Sequence, residues 1–297
     1  MRPKKTSSLL KLSLSVAFLI LTFGLSASYA EFYVIAVGGK KIGTEITSLP
    51  YTISTPGFYF ITKDLSCPAG TNGITITTSN VTLDLMGFAL IGAGEGGDGY
   101  HGIHFADATG SRNNEVRNGT IRDFDGQGIR SHTLGNRGHR LFSLRVMYNA
   151  EDGISLTGRS HLIKNCICSY NGEFGIYSGE GSFITGNICF NNGDDSIRAL
   201  SGCTITGNTC YDNKGDGIST YPGCTITGNT CYDNEGDGIE AGVGSTVIGN
   251  TCRGNLDRGI NLFGDSYVGQ NTCTNNNMNM NDCSVANPCA KGLNYAP

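Results

Sequence analysis

Charge is scarce in this chain. Only 15% of its 297 residues are Asp, Glu, Lys or Arg, which is low for a disordered protein. Helical periodicity is missing as well: no segment keeps an apolar period of three to four residues, and glycine interrupts throughout, which argues against helices. A long apolar run occurs only near the N-terminus. Arg2, Lys4 and Lys5 precede a run from Leu12 to Leu25, followed by Ser28-Tyr29-Ala30. A basic start, a short apolar stretch and small residues at the end predict a secretory signal peptide over 1–30, cut after Ala30. The other reading is an uncleaved anchor. The run is short for a membrane span, and no span is expected in the mature chain. Four of the 21 basic residues fall in this segment and no acids do, leaving 17 basic against 25 acidic residues and a net charge of −8. Such a balance argues against nucleic acid as a partner.

Glycine and asparagine are abundant, with 44 Gly in the chain, and both favour tight turns. Their spacing is regular. Gly202-Cys203-Thr204-Ile205-Thr206-Gly207-Asn208-Thr209-Cys210-Tyr211-Asp212-Asn213 recurs unchanged as Gly223 to Asn234. Looser copies run from Leu162, Phe183, Gly244 and Gly264. Stacked at intervals of twenty-one residues, the copies form columns. One is Ile163, Ile184, Ile205, Ile226, Val247 and Val268; a second is Cys168, Cys189, Cys210, Cys231, Cys252 and Cys273; a third is Ile176, Ile197, Ile218, Ile239 and Ile260. Two Asn columns begin at Asn187 and Asn171. About three inward side chains per coil cannot form a core alone, but identical coils stacked on one another can. Asn suits the turns, and stacked Asn side chains can bond to one another up the ladder.

The spacing therefore predicts an all-β parallel solenoid of about nine or ten coils, roughly 45 Å long. Gly153-Ile154, Gly128-Ile129 and Gly102-Ile103 continue the third column upstream, and Ile74-Thr75-Ile76 and Val81 to Leu85 read as earlier strands. The leucine-rich repeat shares the coil length, but its Leu-x-x-Leu-x-Leu pattern is absent. Solenoid ends invite pairing with other chains, so caps are expected. The domain reading is 1–30 signal peptide, 31–62 N-terminal cap and first strands, 63–276 β-helix and 277–297 C-terminal cap. Export makes disulfides available to the 12 cysteines; Cys283 and Cys289 bracket a short loop suited to one. The Cys column reads as core, since inward Cys behaves as a small hydrophobe.

Asn80-Val81-Thr82-Leu83-Asp84-Leu85-Met86-Gly87-Phe88, then Ile91-Gly92 and the repeated Gly-Asn-x-Cys-x-x-Asn…Gly-Ile, resemble right-handed parallel β-helix repeat proteins of the pectin-lyase-like superfamily. The likeness covers roughly residues 51–276. It implies a right-handed coil. For activity it implies less, because the group mixes lyases, hydrolases, epimerases and proteins without known catalysis.

In the Gly-Ile column Ile points inward, so the next residue points out. That outward column is His104, Arg130, Ser155, Tyr177, Arg198, Ser219, Glu240 and Asn261. The residues just before each Gly, or before Ser196 at the equivalent position, form a second: His101, Gln127, Asp152, Phe174, Asp195, Asp216, Asp237 and Arg258. Three consecutive rungs carry Asp there. Asp-Gly is a common turn that repeats copy. Stacked carboxylates also raise one another's pKa or gather a cation, and oxygen-rich ladders suit calcium. Adjacent rungs approach the ~5–5.5 Å separation of retaining glycosidases, and alternate rungs the ~6.5–9.5 Å of inverting ones.

Gly193-Asp194-Asp195-Ser196-Ile197 is similar to the Asp-Asp motif of polygalacturonases. The coil before it reads Gly172-Glu173-Phe174 where those enzymes carry Asn-Thr-Asp; the coil after has Asp216-Gly217 in place of His-Gly. The Arg-Ile-Lys signature is also missing, with Arg258-Gly259-Ile260 nearby. These departures argue against polygalacturonase activity. Arg112, Arg117, Arg122, Arg130, Arg137, Arg140 and Arg145, with His132 and His139, cluster on the early coils. They are either solvated turns or a patch for an anionic sugar polymer, which Arg suits.

The expected function is an exported protein that engages extended polysaccharide along the outward strip, as a lyase or glycoside hydrolase if it is an enzyme. Arg130, Tyr177, Arg198 and Glu240 are the expected substrate-binding residues; Asp194, Asp195, Asp216 and Asp237 are the expected catalytic ones. Two alternatives stand beside it. One is a non-catalytic surface, structural or adhesion role, favoured by the near-perfect repeat. The other is ice binding, suggested by the outward threonines of Thr204-Ile205-Thr206 and Thr225-Ile226-Thr227.

Overall fold

The computed structural model describes residues 43–94, 99–280 and 290–291. The expected signal peptide, residues 31–42 of the expected N-terminal cap and the Cys283–Cys289 loop lie outside the described residues. Every regular element among the described residues is a strand, and no helix there is long and apolar enough to cross a membrane.

The strands form a 20-stranded and an 11-stranded sheet, and neighbours pair in parallel. In the regular region each coil gives two strands to the larger sheet and one to the smaller. Leu162–Lys164, Ile167–Ser169 and Ile176–Glu180 make one coil; Phe183–Thr185, Ile188–Phe190 and Ile197–Ala199 make the next. The register places Ile163 on Ile184, Cys168 on Cys189 and Ile176 on Ile197. Eleven strands in the smaller sheet, from Tyr51–Ile53 to Met278–Met280, correspond to about ten turns, in agreement with the repeat spacing.

Three corners of each coil take left-handed backbone, one of them at Ser160, Gly181, Gly202, Gly223, Gly244 and Asp265, just before the first strand of the larger sheet. A second lies between the two strands of the larger sheet, at Asn165, Gly186, Gly207, Gly228 and Gly249. In the long strands Glu115–Arg122 and Arg140–Met147 the same bend falls at Asn118 and Ser143. The third corner follows the next strand, at Asp123, Tyr148, Tyr170, Asn191, Asp212, Asp233, Gly254 and Asn275. Asn, Asp and Gly tolerate this conformation, which explains why they recur at these positions.

Inside the coils the predicted columns are fully buried. Ile74, Ile103, Ile129, Ile154, Ile176, Ile197, Ile218, Ile239 and Ile260 all have 0% exposure, and burying each such side chain is worth on the order of 1.5–3 kcal/mol. The Cys column takes over a position that Leu90, Ile121 and Val146 fill upstream. All ten described cysteines are buried free thiols. Burial pushes the Cys168 and Cys231 thiols well above their ordinary pKa, as expected of core residues.

The Asn columns solve a polar problem at the turns. Asn208 Oδ1 accepts both the backbone N–H and the Nδ2 of Asn187, each at 2.9 Å, while Asn208 Nδ2 donates to the Ile184 carbonyl at 3.0 Å and to Asn229 Oδ1 at 3.0 Å. The other column repeats this from Asn149 through Asn171, Asn192, Asn213, Asn234 and Asn255 to Asn276. Backbone groups buried at the corners are thereby satisfied, as buried polar groups must be.

Candidate functional site

The outward column of the 11-stranded sheet is continuous. The pairings run His104–Arg130–Ser155–Tyr177–Arg198–Ser219–Glu240–Asn261, one residue per rung. In the middle, Phe174 and Tyr177 stack with ring centroids 6.1 Å apart, and the Arg198 guanidinium lies 4.6 Å over the Phe174 ring. Arg198 also grips Asp195 Oδ2 through Nη2 at 2.7 Å and Nε at 2.8 Å.

The second column is a ladder of side chain to backbone hydrogen bonds. Asp195 Oδ1 accepts the Asp216 N–H at 2.7 Å, Asp216 Oδ1 accepts the Asp237 N–H at 2.6 Å, and Asp237 Oδ1 accepts the Arg258 N–H at 2.8 Å. Asp152 caps Phe174 at 3.1 Å in the same way, and upstream Asn72 and His101 Nδ1 accept the amides of His101 and Gln127. One oxygen of each stacked Asp is thus engaged in joining coils. Asp194 stands apart, with its Oδ1 accepting the N–H of Asp195 at 2.9 Å.

Burial sets the proton affinities of these carboxyls. It pushes Asp152 and Asp195 up to about 6, in Asp195 against the pull of the Asp216 amide and Arg198. Burial and the neighbouring Asp195 charge push Asp216 up to about 8, and burial raises Asp237. Carboxylate oxygens of Asp216, Asp237 and Glu240 lie within 4.8 Å of one another. Glu240 further accepts from Ser219 Oγ at 3.5 Å and Asn261 Nδ2 at 3.3 Å.

At the other end of the strip the structure adds residues outside the expected set. Arg130 Nη1 meets His101 Nε2 at 3.1 Å, and His104 Nε2 meets His132 Nδ1 at 3.4 Å. Burial, then the neighbouring charges, hold His101 down at about 3 and His104 at about 4, so both stay neutral near pH 7. The signal was present in the two columns, which contain His101 and His104.

The early basic cluster does not assemble into one patch. Arg117, Arg122, Arg140 and Arg145 lie on strands of the 20-stranded sheet, away from Arg130. Arg117 pairs with Asp84 and Glu115, Arg140 with Glu115, and Arg122 with Asp123. Arg112 and Arg137 stack with Arg159 in a column of their own. His139 is fully buried between Phe105, at 4.3 Å, and His161, at 5.2 Å, so it is not a surface residue.

Residues 133–278 match the family model of the right-handed beta helix region. Over that region the chain is a right-handed parallel β-helix, and the same strand pairing continues upstream to Tyr51–Ile53. No curated protein matches its sequence significantly. Among solved structures, this β-helix is similar to the A-modules of two mannuronan C-5 epimerases of Azotobacter vinelandii. For AlgE4 the TM-score is 0.71 at 13% identity, covering 85% of each chain; for AlgE6 it is 0.61 at 15%, covering 86% of this chain and 90% of that one. The Dettilon tailspike protein follows at 0.59 and 15%, with 84% and 61% covered. At these identities the likeness is one of fold.

Proposed function

We propose that this exported β-helix engages an extended anionic polysaccharide along the outward column of the 11-stranded sheet. The reading rests on the unbroken series Arg130, Ser155, Tyr177, Arg198, Ser219, Glu240 and Asn261, which offers one polar or aromatic side chain per rung. A repeating polymer meets a repeating surface. Tyr177 supplies a ring face, Arg130 supplies forked donors for a carboxylate, and Arg198 positions Phe174 beside them. Glu240 serves hydroxyls at the acidic end. That two similar structures are mannuronan epimerases supports a uronate-containing ligand. Calcium fits the same end: Asp216, Asp237 and Glu240 provide the hard oxygen donors it takes, in competition with the Asp216 proton.

A second reading, catalysis as a lyase or glycoside hydrolase, is supported by the asymmetry between Asp195 and Asp216. Near neutral pH, Asp216 keeps its proton and Asp195 is ionised beside Arg198, and divergent pKa values on neighbouring carboxyls suit an acid and its partner base. Asp194 and Asp237 flank the pair. The non-catalytic alternative is supported by the ladder itself, which gives each stacked Asp a structural task.

The test is affinity electrophoresis of the purified protein through gels containing pectate or alginate, with and without calcium. Reducing ends, the ultraviolet absorbance of unsaturated uronates and the anomeric proton signals of C-5 inversion are recorded in parallel. Retardation that disappears in Arg130→Ala and Tyr177→Ala supports the binding strip; migration unaffected by either polymer overturns it. Turnover abolished by Asp216→Asn and Asp195→Asn makes the protein an enzyme, and absence of all three products assigns it the binding role.

A further inference from the structure

Tyr148 and Tyr170 stand where the backbone is left-handed, with φ of +57° and +55°. Equivalent positions in the other coils carry Asp123, Asn191, Asp212, Asp233, Gly254 and Asn275, all with positive φ. Those are the residue types such a corner accepts; a bulky side chain there is an outlier that costs backbone strain. The usual offset for such strain is burial, and it is missing here. The rings are 53% and 45% exposed. Strain without core packing in return is characteristic of a functional position.

The two rings are parallel, with centroids 5.0 Å apart and planes 11° from each other. Phe190 meets Tyr170 edge-on at 5.6 Å, and Tyr211 and Tyr232 continue the series in stacked contact at 4.8 and 4.9 Å. Five aromatic rings on five successive coils thus form one surface. Tyr148 and Tyr170 line a groove of about 580 Å³ whose other lining side chains include Asn191, Asp212, Lys214 and Glu235. That volume is in the range of small-ligand sites.

We propose that this groove is a second carbohydrate-binding site, specific for a neutral glycan. The aromatic faces match the C–H faces of a pyranose, and the amide, carboxylates and ammonium around them match its hydroxyls. Two carboxylates against one ammonium, with no arginine in the described lining, disfavour an anionic sugar. A protein partner or a second copy of this chain needs a wide apolar area; apart from the two tyrosines, Phe124 and Ala150, the lining side chains are Asn, Asp, Lys and Glu. In each coil the groove precedes the residues of the outward strip, so a protein holding an anionic polymer on the strip can grip a neutral chain beside it.

The decisive variant is Tyr148→Asn with Tyr170→Asn, which installs the side chain that Asn191 and Asn275 already carry at this corner. Asn tolerates the left-handed backbone, so the variant folds with an unchanged or raised thermal midpoint. The purified protein is run through native gels containing hydroxyethyl cellulose, β-1,3-glucan, galactomannan or amylopectin. Oligosaccharides of any retarding polymer are then titrated against tyrosine fluorescence, which no tryptophan obscures. The expected result is retardation by at least one neutral polymer and a tenfold or greater loss of affinity in the double variant at unchanged midpoint. The proposal is overturned if no neutral polymer retards the protein, or if the variant binds as the wild type does. It is equally overturned if the variant loses midpoint without losing affinity, which makes the rings structural, or if sedimentation shows a dimer that the variant abolishes.

Discussion

Asp195 Oδ1 accepts the backbone N–H of Asp216 at 2.7 Å, and Asp195 Oδ2 is held by Arg198 at 2.7 Å. Both oxygens of one carboxyl are therefore engaged, one in stacking coils and the other on the outward face. Asp195→Asn keeps an oxygen for the Asp216 amide but gives up the Arg198 pair, so it is expected to lower the thermal midpoint less than Asp195→Ala does. Asp195→Ala strands that amide and Arg198, at a cost of about 1–3 kcal/mol. Thermal denaturation of the two variants checks this, and equal midpoints would show that the ladder contributes nothing.

Asp216 dominates the pH dependence on the alkaline side. Its folded pKa, raised from 3.8 to about 8 by burial, means that the folded state holds a proton that the unfolded chain releases from pH 3.8 upward. The stability from this group is fully present below pH 3.8 and is lost as pH rises through 8. The histidines act oppositely. His101, His104, His139 and His161 are pushed down, chiefly by burial, to between about 3 and about 4, so each contributes stability above pH 6.5 that is lost on acidification through its folded pKa. Above pH 6.5 the histidine contributions no longer change, while that of Asp216 continues to fall. The thermal midpoint is expected to fall from pH 6.5 to 8 in the wild type and to stay flatter in Asp216→Asn, as scanning calorimetry at half-unit pH steps would show.

The Asn ladders carry a similar expectation. Removing the side chain of Asn208 strands the N–H and Nδ2 of Asn187 and the Ile184 carbonyl together. Asn208→Ala should lower stability by at least the roughly 1–3 kcal/mol of one unpaired buried group. Asn208→Asp restores the acceptor but not the donor and introduces a buried charge, so it should be no better than Ala. Urea unfolding followed by circular dichroism measures both.

The columns that predicted the coils were legible because the repeat keeps one side chain per rung at a fixed interval: Ile163 on Ile184 and Tyr177 on Arg198 follow from counting alone. Counting locates a Cα and a facing direction. It does not reveal which way a carboxylate turns, so the Oδ1 links from Asp195 to Asp216 and onward were not foreseen. Nor does it work where the interval drifts. Between His104 and His132 the coils are longer, and the pairing of those two rings across adjacent rungs was not visible. The same drift made Arg117, Arg130 and Arg140 read as one cluster, although Glu115 and Asp84 hold two of them on the other sheet. His139, taken with that cluster, lies inside because its coil turns it against Phe105.

Cys210 sits between Cys189 and Cys231 in the column that Leu90, Ile121 and Val146 occupy upstream, which gives a test of what the thiols do. If each acts as a small hydrophobe, Cys210→Val should cost less than about 1.5 kcal/mol, the range for swaps that nearly conserve volume. Cys210→Ser should cost more despite its closer shape, since its hydroxyl must be desolvated at about 1–3 kcal/mol unless it finds a partner. A polar task for the column would invert that order, because serine preserves the hydrogen bonding that valine removes. Thiol titration gives a second check. The ten described cysteines are buried, so they should resist a water-soluble disulfide reagent in the native protein and react together when urea unfolds it. Stepwise reaction from one end of the column at low urea would instead mean that the coils open one at a time, as a nearest-neighbour solenoid allows.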